Sequence, residues 1–200
     1  MSTNWEPVNY SVCIIMPPRD LWAPFVEIKK NHMNPKIKRP PYPHITLISP
    51  FVHPKHYPDA KEEIRKSLKS IEPFEINFAK FELFKNKYSS TLYLAPESEK
   101  EIKEVHNALM KVFPSYNDKK QNNFEPHIGV GFFKGQNNEA EILQQKYQSN
   151  WIPLKFTVQE IYFLSRKSQV SPWEVEEIVS LGKNEQPSVF KKGETTDSSK

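Results

Sequence analysis

The chain has 200 residues, enough for one domain or for two small lobes that share a core. Its 37% hydrophobic and 26% charged residues exclude a disordered chain. A net charge of +4 is compatible with an anionic ligand but lacks the dense basic clusters of a dedicated nucleic-acid binder. The single cysteine, Cys13, sits in the apolar run Val12-Cys13-Ile14-Ile15 and reads as a small buried hydrophobe. It forms no internal disulfide, which suits a reducing compartment. Residues 1–25 do not pair a basic start with a long apolar stretch, as a signal peptide would. No window approaches the ~18 apolar residues of a membrane span. The expectation is a soluble, monomeric, cytoplasmic protein, with the nucleus also compatible.

In chain order, residues 10–16 are apolar and β-branched and predict a buried strand, ended by Pro17-Pro18. Leu21, Phe25 and Ile28 recur at helical spacing and predict a helix over 20–31. Residues 33–43 form a basic, proline-rich loop carrying Lys36, Lys38 and Arg39. A short strand over 44–49 precedes a helix over 58–70, whose apolar stripe is Ala60, Ile64 and Leu68. Residues 74–84 alternate as a half-buried strand, with Thr91–Leu94 as its hairpin partner. A helix over 97–113 is marked by Ile102, Val105, Leu109 and Val112. A polar loop then leads to a strand over 127–133 and a helix over 138–147. Residues 154–164 predict one strand, and Trp173–Leu181 predicts the last. From about residue 183 the chain is polar and predicts a disordered tail over 183–200, leaving 1–182 as one domain of two lobes.

The element order repeats one α+β unit, and the repeat carries a motif. Pro43-His44-Ile45-Thr46-Leu47 and Pro126-His127-Ile128-Gly129-Val130 each open an apolar strand after a loop. Strand alternation puts His44 and Thr46 on one face, and Ile45 and Leu47 on the other. It likewise groups His127, Gly129 and Gly131. An imidazole beside a hydroxyl can move a proton while the hydroxyl donates to a phosphate oxygen. Two imidazoles suit phosphodiester cleavage. One, neutral, takes a proton from water or a ribose hydroxyl, and the other, charged, protonates the leaving oxygen. A pKa near ~6.5 makes both forms available around neutrality. No metal and no cofactor are required. His53 and His56 are spaced as a metal pair but lack a supporting Cys or carboxylate cluster.

The two motifs resemble the His-x-Thr/Ser-hydrophobic signatures of the 2H phosphoesterase superfamily. That group includes cyclic nucleotide phosphodiesterases and bacterial RNA 2′,5′-ligase-like proteins. The resemblance covers about residues 8–182 and extends to Ile161–Arg166, Trp173-Glu174-Val175 and Leu181-Gly182, which look like the family's closing hairpin. It implies a bilobal α+β fold with pseudo-two-fold symmetry, in which two antiparallel sheets line a central cleft and helices lie outside. It also implies metal-independent cleavage of 2′,3′-cyclic or related phosphodiesters of nucleotides or RNA ends. His44 and His127 become the acid–base pair and Thr46 the phosphate donor.

Gly129 departs from the family's Ser or Thr. Loss of one hydroxyl bond to a charged oxygen is worth about 1.5–3 kcal/mol, a ten- to hundredfold change in rate. Secondary candidates for substrate contact follow. Phe132 stands about five positions after the second histidine, where the family often places a contacting side chain, whereas strict alternation selects Phe133 instead. Tyr42 and Arg39 lie in the loop that leads into the first motif, and Arg166 ends a strand. The leading expectation is a two-histidine phosphodiesterase acting on a cyclic phosphate. The alternatives are an RNA 3′-end exonuclease with the same pair, and a non-catalytic nucleotide- or RNA-binding module for which Gly129 is the support.

Overall fold

The computed structural model describes residues 5–32, 42–116, 123–135, 138–183 and 187–196. The strands are β1 (Pro7–Val8), β2 (Ser11–Ile15), β3 (Ile45–Ile48), β4 (Phe51–Val52), β5 (Phe74–Asn86), β6 (Ser89–Pro96), β7 (Ile128–Lys134), β8 (Leu154–Val158), β9 (Glu160–Ser165) and β10 (Glu174–Ser180). The helices are α1 (Trp22–His32), α2 (Tyr57–Leu68), α3 (Lys100–Val112) and α4 (Glu139–Asn150). Two four-stranded antiparallel sheets run in the orders β10-β9-β2-β3 and β7-β6-β5-β8. Each histidine strand is therefore the edge of its sheet. The first sheet joins strands from both ends of the described chain. The second uses the middle.

A large apolar cluster underlies both sheets. It takes Ile45, Leu47 and Ile48 from β3, Ile128 and Val130 from β7, Ile64 and Leu68 from α2, and Ile102, Val105 and Leu109 from α3. The helical residues are those that the 3.6-residue periodicity selects. Cys13 is fully buried within this cluster, and burial pushes its thiol well above the usual range. A second cluster lies on the opposite face of the first sheet and joins Val12, Ile14, Tyr162 and Leu164 to Trp22, Tyr42, Trp173 and Phe190.

Three expectations are corrected. The run 154–164 is not one strand: it breaks at Gln159, and its halves belong to different sheets, β8 beside β5 and β9 beside β2. The alternation of Leu154, Phe156 and Val158 stops at the polar pair Gln159-Glu160, and a continuous apolar run follows, so the sequence itself marks the break.

The polar tail is not all outside the fold, because residues 187–196 pack onto the first sheet. Phe190 is buried against Trp22 and Tyr162, and Glu194 pairs with Arg19. Ser188 and the Val189 amide bond the buried Glu160 carboxylate, and Thr195 bridges Glu174. One phenylalanine anchors a segment whose composition otherwise reads as solvated.

Strict alternation also fails in both histidine strands. Ile14 pairs with Thr46 and Cys13 with Ile48, so Leu47 is an extra residue in β3. Tyr93 pairs with Gly129 and Leu92 with Gly131, so Val130 is an extra residue in β7. Each β-bulge falls three residues after its histidine. A bulge reverses which later residues share a face. Gly131 thus leaves the His127 face for the core side, where an added Cβ would come within 2.9 Å of the Phe133 ring and 3.3 Å of His32 Cβ on α1. Phe133 turns into the core, and Phe132 takes its place on the His127 face.

Candidate active site

The two motifs share one local structure. From each proline onward, burial runs buried, half-buried, buried, half-buried, buried, buried, through Pro43–Ile48 and through Pro126–Gly131. The apolar positions sink into the common core and leave His44, Thr46, His127 and Gly129 half exposed. His44 Nδ1 lies 3.0 Å from the carbonyl oxygen of Tyr42, and His127 Nδ1 lies 2.8 Å from that of Glu125. In both cases the partner is two residues back. A carbonyl oxygen can only accept, so the bond requires the proton on Nδ1 and leaves Nε2 as the nitrogen able to exchange one. Both rings are thus fixed in the same tautomer by the same device.

The surroundings then differ. In the first sheet a row of side chains runs Tyr162, Ile14, Thr46 across three strands. Tyr42 packs beside His44, with ring centroids 5.2 Å apart, and is itself stacked on Trp22. The buried Lys29 of α1 donates from Nζ to the Tyr42 carbonyl at 2.7 Å. In the second sheet the matching row is Glu82, Tyr93, Gly129. The His127 ring meets the edges or faces of Phe84 and Tyr93 at 4.8 and 5.3 Å, and those two rings stack at 4.0 Å. The Tyr93 hydroxyl is shared between the carboxylates of Glu125 at 3.1 Å and Glu82 at 3.2 Å. Burial, with these two carboxylates, pushes the phenol well above the usual tyrosine range, so it remains a donor. The bond from Lys80 holds Glu82 below the usual carboxylate range. Nothing lies within 4 Å of a Cβ built on Gly129, so packing does not require glycine there.

The structure therefore groups His44 with Thr46, and His127 with Gly129 and Phe132. Phe133 is in the core. Tyr42 is wholly buried, so its ring supports His44 from behind instead of offering a surface to a base. The Arg166 backbone sits at the Tyr10 end of β2, while its guanidinium lies 4.9 Å over the Trp173 ring and acts electrostatically on the buried Tyr42 phenol. Arg39 falls outside the described residues. Lys29, Tyr93, Glu82 and Glu125 escape the sequence reading because cross-strand register and the packing of α1 bring them to the site. Among the described residues no group of three or more His, Cys, Asp or Glu side chains is placed to hold a metal ion. No described helix is long and apolar enough to cross a membrane.

The fold is similar to that of TT0787 of Thermus thermophilus, with a TM-score of 0.59 and 17% identity over 87% of this chain and 99% of that one. It is also similar to E. coli LigT in apo form, with a TM-score of 0.56 and 12% identity over 88% and 99%. LigT complexed with 3′-AMP gives a TM-score of 0.52 at the same identity and coverage. No curated protein sequence matches the chain. The sequence profile described as the 2′-5′ RNA ligase superfamily matches residues 17–169, which include both histidine strands, and the chain belongs to that superfamily of LigT-like 2H phosphoesterases.

Proposed function

We propose that the protein is a phosphodiesterase that hydrolyses the 2′,3′-cyclic phosphate of a nucleotide or an RNA end, using His44 and His127 as acid and base. The observation that carries this reading is the matched setting of the two imidazoles, each locked with Nδ1–H on the carbonyl two residues back. Water attacks phosphorus as one neutral Nε2 removes its proton. The departing ribose oxygen receives a proton from the other, charged ring, so the diester becomes a monoester and the pair ends with its protonation states exchanged. Thr46 donates to a non-bridging oxygen on the His44 side. On the other side Gly129 supplies room and a backbone N–H, and Phe132 supplies an apolar contact. The complex of LigT with 3′-AMP supports a nucleotide-sized ligand for this fold.

The test is hydrolysis of the four 2′,3′-cyclic mononucleotides by purified protein in excess EDTA, with His44→Ala and His127→Ala alongside. Turnover by the unmodified protein, lost in both variants, is expected. Nucleotide binding that persists without turnover, and that survives His44→Ala, would replace the enzyme with the binding module that the missing hydroxyl at Gly129 favours. Release of mononucleotides from a linear RNA 3′ end, with the cyclic substrates untouched, would identify the exonuclease.

A further inference from the structure

Each imidazole is held by a carbonyl, and that carbonyl must itself be held. Both belong to loop residues that precede a strand, where no ladder partner fixes the peptide plane. In the first lobe a side chain from another element bonds that carbonyl directly, and in the second a side chain from the neighbouring strand bonds the carboxylate of the same residue. Lys29 projects from α1, is 7% exposed, and donates its ammonium to the Tyr42 oxygen that also accepts from His44. A carbonyl has two acceptor sites, so both bonds coexist. An ammonium withdrawn from water is costly, and the bond to a backbone carbonyl offsets part of that cost. On the other lobe Tyr93 reaches across from the neighbouring strand. Its hydroxyl donates to the Glu125 carboxylate and ties that residue to the sheet while the Glu125 carbonyl accepts from His127. The Tyr93 ring, stacked on Phe84, also forms one side of the His127 ring's seat.

We propose that Lys29 and Tyr93 are the positioning residues of the two histidines, each fixing the tautomer and orientation of one imidazole: Lys29 through the carbonyl that accepts the His44 Nδ1–H, and Tyr93 through its own ring and through the carboxylate of the residue whose carbonyl accepts from His127. The idea rests on the acid–base reading above only for its effect on rate. The positioning itself is readable without turnover.

The test is the nitrogen-15 NMR of the histidine rings above their titration range, with Lys29→Met and Tyr93→Phe compared to the unmodified protein. Both substitutions keep most of the side-chain volume. Lys29→Met should shift His44 toward the Nε2–H tautomer and leave His127 as it was, and Tyr93→Phe should do the reverse. Lys29→Arg, which restores a cation, should return His44 toward the original tautomer. With a cyclic nucleotide as substrate, each removal should lower kcat about tenfold with KM within about twofold, the pattern of a misaimed proton-transfer group. Unchanged tautomers in both variants overturn the proposal. So does a variant that disturbs both rings equally, because that marks a general loss of structure. If the unmodified protein has no turnover but the ring-specific shifts occur, the positioning stands and the phosphodiesterase reading falls.

Discussion

The edge strand that carries His44 and the edge strand that carries His127 agree in backbone and disagree in side chains. Both have a buried proline, an Nδ1–H bond to the second residue back, and a bulge three residues after the histidine. Yet Thr46 stands in one row beside the apolar Ile14, and Gly129 stands in the other beside Tyr93. In the second lobe the hydroxyl lies one strand further in. The lesson is that the backbone geometry presenting an imidazole is separable from the side chains that surround it. One lobe closes its histidine face with an apolar cluster capped by Phe190. The other uses an aromatic pair and two carboxylates.

The largest effect should come from the feature the edges share. His44→Ala and His127→Ala should each reduce turnover about 10²–10⁴-fold. The double variant should be little worse than the poorer single one, because the rings act as a unit. Rate against pH should be bell-shaped, falling at low pH as the base is protonated and at high pH as the acid is depleted. A profile monotonic in pH would remove the acid–base pair.

The next largest effects test what differs. Thr46→Val keeps the shape, removes the hydroxyl, and should slow turnover roughly ten- to a hundredfold. Its melting temperature should be unchanged, since the side chain is half exposed. An equal loss of rate and of thermal stability would make Thr46 structural.

The two glycines of β7 separate packing from chemistry. Gly131→Ala drives a Cβ against Phe133 and His32, which should cost about 1–3 kcal/mol. That corresponds to a melting temperature lower by roughly 2–10 °C in a thermal unfolding experiment. Gly129→Ser meets open space and should leave the melting curve in place within about 0.5 kcal/mol. Its turnover should be equal or faster, as the lobe regains the hydroxyl its counterpart has. A collapse of activity there would show that the substrate occupies the space above Gly129.

Much of this was legible in the sequence, and the misses share a cause. Periodicity locates α1 to α3 because each buries one stripe, and the repeated Pro-His-Ile locates both histidine strands. The bulges escaped because alternation assumes a perfect ladder. In β7 the paired glycines Gly129 and Gly131 were a signal for one, since glycine inside a strand often marks a bulge. In β3 no such signal exists, and Leu47 and Ile48 read as ordinary core. Residues 187–196 escaped because their binding depends on Phe190, Arg19 and Glu160, which lie far apart in sequence. Lys29 and Tyr93 escaped because a donor's target is a matter of register and helix packing, to which local pattern is blind.

The division of strands between the sheets also orders the birth of the molecule. The His127 sheet is drawn from β5 to β8 and has all its strands once residue 158 has been made. The His44 sheet has no such independence. Strand β2 emerges early, but its central partner β9 ends at Ser165 and β10 follows at Glu174–Ser180. During synthesis the first histidine strand therefore waits beside an incomplete sheet until Ser180 has left the ribosome. The lobe whose motif is read first is the last to be finished.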